Sequence, residues 1–272
     1  MRKTRVKDRI SDPSKPILGI YSGLVYLFLF APIFIVIYMS FNSAKTNVFP
    51  LQGYSLEWYE SLFHNQPIWH SFATSVLVAV VSTTLVLIIG TCAAYVIVRF
   101  RFRAKSAFIT MILAPMLIPS VLTGISMLLF YSFLGIKTSI FTVILGHAVL
   151  TLPYATMNIT ARLQGFSVYQ EEAARNLGAN EFIVFFKVVL PQIKSGLISG
   201  ALFAFTISMD EFALTFFVNS ADSQTLPIRI YSMLRFGLTP ELNALSTIIL
   251  CLSFGLISLA MLAKKDKYAN KK

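Results

Sequence analysis

Six runs of about twenty apolar residues dictate what this 272-residue chain can become. They cover roughly 17–39, 71–98, 106–134, 138–161, 195–218 and 243–263. A helix needs about 20 such residues to cross a hydrocarbon core about 30 Å thick. Charged residues make up 13% of the chain and hydrophobic ones 56%, against about 25% charged in an ordinary soluble domain. So little charge cannot cover a water-facing surface, and a β-barrel would need short alternating segments instead. The expectation is an all-α membrane protein: six transmembrane helices in one domain spanning residues 1–272. The first run follows a basic start, as a signal peptide would. It is too long for an h-region, holds Pro32 and lacks a small-x-small cleavage pattern, so it reads as a retained helix.

Lysine and arginine set the expected orientation. Six precede the first run (Arg2, Lys3, Arg5, Lys7, Arg9, Lys15), and four lie in "RFRFRAK" (Arg99, Arg101, Arg103, Lys105). Arg162, Arg175, Lys187 and Lys194 sit around the loop before the fifth run, and Lys264, Lys265, Lys267, Lys271 and Lys272 follow the last. With six spans, those 19 of 23 basic residues share one side, leaving Lys45, Lys137, Arg229 and Arg235 on the other. An N-terminal tail 1–16, a loop 165–191 and a C-terminal tail 264–272 are thereby expected on the cytoplasmic face. Basic loops beside anionic lipid account for the net charge of +11 without nucleic acid.

The loop reads "EEAARNLGANEFIVFFKVVLP" over 171–191. Ser167 with Gln170 fits a capping box, and Glu171 and Glu172 fall in a first turn, where the helix dipole favours acids. Gly178 stands where a left-handed C-terminal cap is needed. Asn180 can cap a second short helix carrying Phe182, Ile183, Phe185 and Phe186, and Pro191 marks a break before the fifth span. Two short amphipathic helices at an angle either rest on lipid or fill a partner's groove. The local pattern does not choose between these fates.

From Glu172 onward the loop resembles the EAA loop of ABC importer permeases, with Glu172, Ala173, Ala174, Gly178, Val188, Leu190 and Pro191 at the motif's spacing; Val188 stands where isoleucine is usual. The resemblance implies a type I ABC importer permease (MetI-like) fold, with the loop docking into a groove of a cytoplasmic ATPase. Over nearly the whole chain, the stretches "APIFIVIYMSFNSAK", "ARLQGF", "FTISMDEFALTFFV", "LPIRIYSMLRFG" and "PELNALSTIIL" resemble permeases of spermidine/putrescine importers, PotC-type. That implies a place in a bacterial inner membrane and four kinds of protein: this chain, a second PotB-type permease, a homodimeric PotA-type ATPase and an external PotD-type polyamine-binding protein. Related importers for ferric iron, thiamine, sulfate or aminophosphonates share the loop. An ATP-independent secondary transporter is the reading from another class.

The chain itself holds no G-x-x-x-x-G-K-[ST] phosphate loop. It shows no nucleophile–base set and no metal-ligand cluster, and His64, His70 and His147 are far apart. The expectation is a transport subunit without cofactor or metal, its ATP bound by a partner. Cys92 and Cys251 fall inside runs without metal spacing and read as small core residues. Asp210 and Glu211, inside the fifth run, are costly in a span. With Phe205, Phe212, Phe216 and Phe217 nearby, they suit a polycation by Coulomb and cation–π attraction. Adjacent helical residues point about 100° apart, so one acid is expected to face the path and the other a neighbouring helix. Both acids pairing with Arg or Lys at a subunit interface is the competing reading.

Lesser signals complete the pattern. Pro115, Pro119 and Pro153 should kink the third and fourth spans. His147, Tyr154 and Asn158 share a stripe that either lines a path or binds helices together. Trp58, Tyr59 and Trp69 read as interfacial anchors, and Gly200 with Ala204 as a close-packing pair.

Overall fold

The computed structural model describes residues 14–237 and 239–269. Arg2, Lys3, Arg5, Lys7, Arg9, Lys271 and Lys272, part of the expected tails, lie outside them. Residues 66–232 form one compact unit, and the segments on either side form another.

The larger unit is built on α3 (Gln66–Arg99), α6 (Ile140–Gln164) and α9 (Leu190–Asp210), which pack against one another. Between lipid tails, helices gain little from hydrophobic burial, so small residues that admit close backbone approach decide the contact. A Cβ on Gly196 would meet Asn158 O at 3.0 Å, and one on Gly200 would meet the Ala155 Cα at 3.2 Å. Ala204, one turn on, is fully buried. The small-residue seam of α9 therefore runs over three turns, longer than the pair read from the sequence.

Two of the expected spans are broken. The run 106–134 becomes α4 (Lys105–Leu117) and α5 (Ser120–Phe133), bent by 109°. Pro119 drives its predecessor out of the helical region, and Ile118 sits at φ −96°, ψ 129°. Pro115 and Pro153 are instead accommodated inside α4 and α6. The run 195–218 is also not one helix: α9 ends at Asp210, Glu211 is extended at φ −73°, ψ 109°, and α10 (Ala213–Val218) follows. α10 packs on α5 so tightly that a Cβ on Gly124 would lie 2.9 Å from Leu214 Cα.

Before α9 the expected break at Pro191 does not occur. A short α8 (Glu181–Ile183) passes through a π-helical turn, Val184–Val189, into α9. Helix runs on over Glu181–Asp210. Proline clashes with the carbonyl four residues back; the wider turn, closed by Leu190 N–H to Phe185 O, precedes it. The unit is completed by α7 (Tyr169–Asn176) and the start of α11 (Leu226–Arg235), held to α3 where Ser75 Oγ accepts from Leu226 N–H at 2.8 Å.

In the other unit, α1 (Ser14–Met39) and α2 (Glu57–His64) pack on α12 (Pro240–Ala269). The loop after α1 is organised by buried Asn42, whose Oδ1 accepts from Ala44 N–H at 3.1 Å and whose Nδ2 donates to Val48 O at 3.2 Å. Trp58 Nε1 donates to Asn42 O at 2.8 Å, and Tyr59 Oη lies 2.6 Å from Ser40 Oγ. The polar atoms of these two aromatics thus hold the loop. Among the described residues, Ile17–Met39, Gln66–Arg99, Ile140–Gln164 and Glu181–Asp210 are long and apolar enough to cross a membrane; the bent pair α4–α5 passes the same test when its two helices are taken together. The sixth expected run falls in α12, a 30-residue helix. Cys92 and Cys251 are free but exposed on the chain, not core residues.

Candidate functional site

Two places carry functional geometry, and α3 touches both. The first is the loop 165–191. The capping box expected from Ser167 and Gln170 does not form: α7 starts at Tyr169 after Val168, with no side-chain cap. The acid that matters for its footing is Glu171, almost completely buried. Glu171 Oε1 accepts from Arg99 Nη2 at 2.7 Å and Nε at 2.8 Å, and Oε2 from Tyr95 Oη–H at 3.2 Å. Arg99 also donates to Phe166 O at 3.3 Å and stands over the Phe166 ring, 5.7 Å from its centroid. The last turn of α3 thereby grips the first turn of α7.

Gly178 has φ +86°, the left-handed cap expected of it. Asn180 Oδ1 accepts from Ile183 N–H at 2.9 Å and caps α8. Arg175 forks onto Glu181 at 2.7 and 3.0 Å, holding that carboxyl below its ordinary 4.5. Beneath, Val184, Val189 and Ile193 join Ala94, Ile159 and Leu163 in one core cluster, with the Val188 and Leu190 side chains packed at its edge. The outer surface is a knuckle: Leu177 is 89% exposed and Phe182 71%. Glu172 and Ala173 are exposed beside it, Ala174 is half-buried and Pro191 is exposed. Nothing lies within 4 Å of a Cβ built on Gly178, so Gly178→Ala tests backbone conformation alone. It is expected to cost about 1 kcal/mol or more in reversible unfolding.

The second place is the break after α9. Glu211 does not project freely; its Oε1 accepts from Leu214 N–H at 2.7 Å and caps α10. Asp210 is exposed at the end of α9 and belongs to none of the ion pairs among the described residues. Among the described residues neither acid forms an ion pair with Arg or Lys; the competing reading places such pairing at a subunit interface. Phe212 and Phe216 lie 5.7 Å apart, centroid to centroid, and Tyr231 of α11 closes the cluster at 4.8 Å from Phe212 and 5.7 Å from Phe216. The sequence reading missed Tyr231, which lies 15 residues beyond Phe216 on another helix; its place in "LPIRIYSMLRFG" was the available signal. His147 is buried and bonded to both α9 and α10, while Asn158 Nδ2 is spent on Tyr154 O in its own helix at 2.8 Å. The stripe on α6 therefore binds helices together at His147.

The family described as "Binding-protein-dependent transport system inner membrane component" matches residues 86–265, a stretch that contains the loop, both broken spans and the ring cluster. The chain belongs to this family. Among relatives of this inner membrane component is the "Spermidine/putrescine transport system permease protein PotC" of Haemophilus influenzae. It is 37% identical over 239 residues, covering 88% of this chain and 93% of the relative. The "Putrescine transport system permease protein PotI" of Escherichia coli K12 is 38% identical over 234 residues, 84% of this chain and 83% of that one. Its fold matches a chain of a bacterial ABC transporter involved in the import of the acidic polysaccharide alginate, with TM-score 0.65 at 20% identity, over 93% and 97% of the two chains. This component is thus a transport permease with the fold of an ABC transporter's membrane subunit.

Proposed function

We propose that this permease forms half of the translocation path of an ATP-driven polyamine importer in a bacterial inner membrane. Its termini and the loop 165–191 face the cytoplasm, a reading supported by the bias of Lys and Arg to one side. The loop docks on an ATPase, an external binding protein delivers spermidine or putrescine, and a second permease supplies the other wall. Identity of 37–38% over most of the length of permeases named for spermidine and putrescine carries the substrate assignment.

The geometry supports each role by its own physics. An exposed leucine and phenylalanine on a bent pair of helices, braced by a buried ion pair, make a rigid apolar knob suited to a socket. Glu172, exposed beside the knob, is placed to pair with a base on the ATPase. An exposed carboxylate two residues before Phe212, the first ring of a three-ring cluster, suits a polycation with an apolar stem. ATP is bound and hydrolysed by the partner, and the permease contributes the differential contacts that let nucleotide shift the inward- and outward-facing states.

The test is reconstitution with an external polyamine-binding protein, an ABC ATPase and a second permease. The expected result is nucleotide-dependent uptake of labelled spermidine or putrescine, and an ATPase that co-purifies with the wild type but not with Leu177→Glu. Uptake without nucleotide would support the secondary-transporter reading, and an ATPase held equally well by the variant would remove the docking role.

A further inference from the structure

The break between α9 and α10, at the end of the apolar helix Glu181–Asp210, leaves backbone groups without helical partners; away from water each orphan group costs several kcal/mol. The Glu211 carboxylate takes one such group, Leu214 N–H. Glu211 O is taken by Thr215 Oγ–H at 2.8 Å. Thr215 is in turn held from a third helix: His147 Nε2 lies 2.7 Å from its Oγ, and His147 Nδ1 lies 2.7 Å from Ser208 Oγ on α9. Ser82 of α3 reaches the same Ser208 at 3.3 Å.

Donor counting orders this chain. The single Thr215 hydroxyl proton goes to Glu211 O, so Thr215 Oγ accepts from His147 Nε2–H. A neutral imidazole then accepts at Nδ1 from Ser208 Oγ–H, and the Ser82 hydroxyl, 3.3 Å from both Ala79 O and Ser208 Oγ, shares its one proton between them. One tautomer satisfies the links from α9 through α6 to α10. The ring thus bridges the two halves of a broken span from outside it. Thr142, five residues before His147, has its hydroxyl 2.8 Å from Val218 O and 2.7 Å from Ser139 O, its one proton shared between them, so α6 also meets the far end of α10.

We propose that His147 is a positioning residue for cation passage: it clasps α10 to α9 across the break, and so sets where Asp210 and the Phe212–Phe216–Tyr231 rings stand. It touches no substrate. The chain of contact runs from its ring to Thr215, then to the Glu211 carbonyl at the corner between Asp210 and Phe212. The proposal rests on the polyamine reading for the identity of the cargo and on the geometry for the clasp itself.

The experiment uses the assembled importer. His147→Leu and Thr215→Val are each expected to raise the KM for spermidine about tenfold, with a smaller change in maximal rate. The double variant is expected to be no worse than either single one, since both cut the same chain. His147→Gln, whose amide can accept from Ser208 and donate to Thr215, should recover most of the affinity. A loss confined to maximal rate, additive single effects, or a glutamine variant no better than leucine would overturn the proposal. A second measurement covers poor folding of the leucine variant: 15N spectra of labelled histidine in the wild-type complex without substrate. Both ring nitrogens of His147 should report hydrogen bonds, with the Nε2 signal altered in Thr215→Val; a freely exchanging ring overturns the clasp. A wild-type complex that shows the clasp but imports no polyamine sinks the cargo assignment instead, so the two failures are distinguishable.

Discussion

Arg99→Leu is expected to destabilise the chain by about 3–5 kcal/mol, more than the loss of any exposed ion pair on the loop. The reason is what it leaves behind. Glu171 has 1% of its side chain exposed, and Arg99 13%; with Arg99 gone, Glu171 keeps only the Tyr95 hydroxyl at 3.2 Å and the more distant Arg175 at 3.8 Å. A buried charge stripped of its partner is the costly case, whereas replacing both members by apolar residues of similar volume is often neutral or better. Arg99→Leu with Glu171→Leu is therefore expected to recover most of the stability lost by either single change, read as the unfolding midpoint in mixed micelles. Equal losses in single and double variants would mean that the pair contributes nothing beyond its packing. The double variant should also separate stability from coupling: if α3 carries loop movement inward, the variant folds, but the importer assembled with it shows reduced uptake for the ATP its ATPase partner hydrolyses. By contrast, the Arg175–Glu181 fork is largely exposed, and its loss is expected to change stability by less than about 1 kcal/mol.

How far the sequence showed all this depends on the range of the interactions. Gly178 and Asn180 were legible because a left-handed cap and an Asn N-cap are decided within a few residues. The spans were legible because their apolar length is a bulk property. Pro119 announced a bend, but its 109° is set by how α5 packs on α10, which is not local. The fifth run showed no breaker where it breaks: "MDEFAL" contains neither Gly nor Pro, and the Glu211 carboxylate there caps α10. Pro191 did announce a break, and a π turn absorbed it. The acid at the motif's position and the buried one are neighbours, Glu172 and Glu171. Which of them is buried is decided by Arg99, 72 residues earlier, and no spacing rule within the loop reveals that.

Asp210→Asn is expected to lower kcat/KM for spermidine uptake roughly ten- to hundredfold, whereas Glu211→Gln should change it by less than about threefold. Two ammonium–carboxylate charges 4 Å apart attract by about 1 kcal/mol in water and about 4 kcal/mol at the effective dielectric of a protein surface. An exposed acid at the end of α9 lies between those limits, and each 1.4 kcal/mol is a factor of ten. Glu211 faces a different demand: its oxygen accepts from Leu214 N–H, and a glutamine carbonyl can accept the same bond, so the cap survives at some loss of charge assistance. Asp210→Glu, which keeps the charge but moves it, should fall between. Concentration series of labelled spermidine in vesicles, repeated at two ionic strengths, check this. The Asp210 advantage should shrink at high salt because an accessible charge is screened. Were Glu211→Gln to cost as much as Asp210→Asn, the division between a capping acid and a cation-facing acid would be wrong, and both carboxylates would have to meet the cargo in a state where α10 has moved.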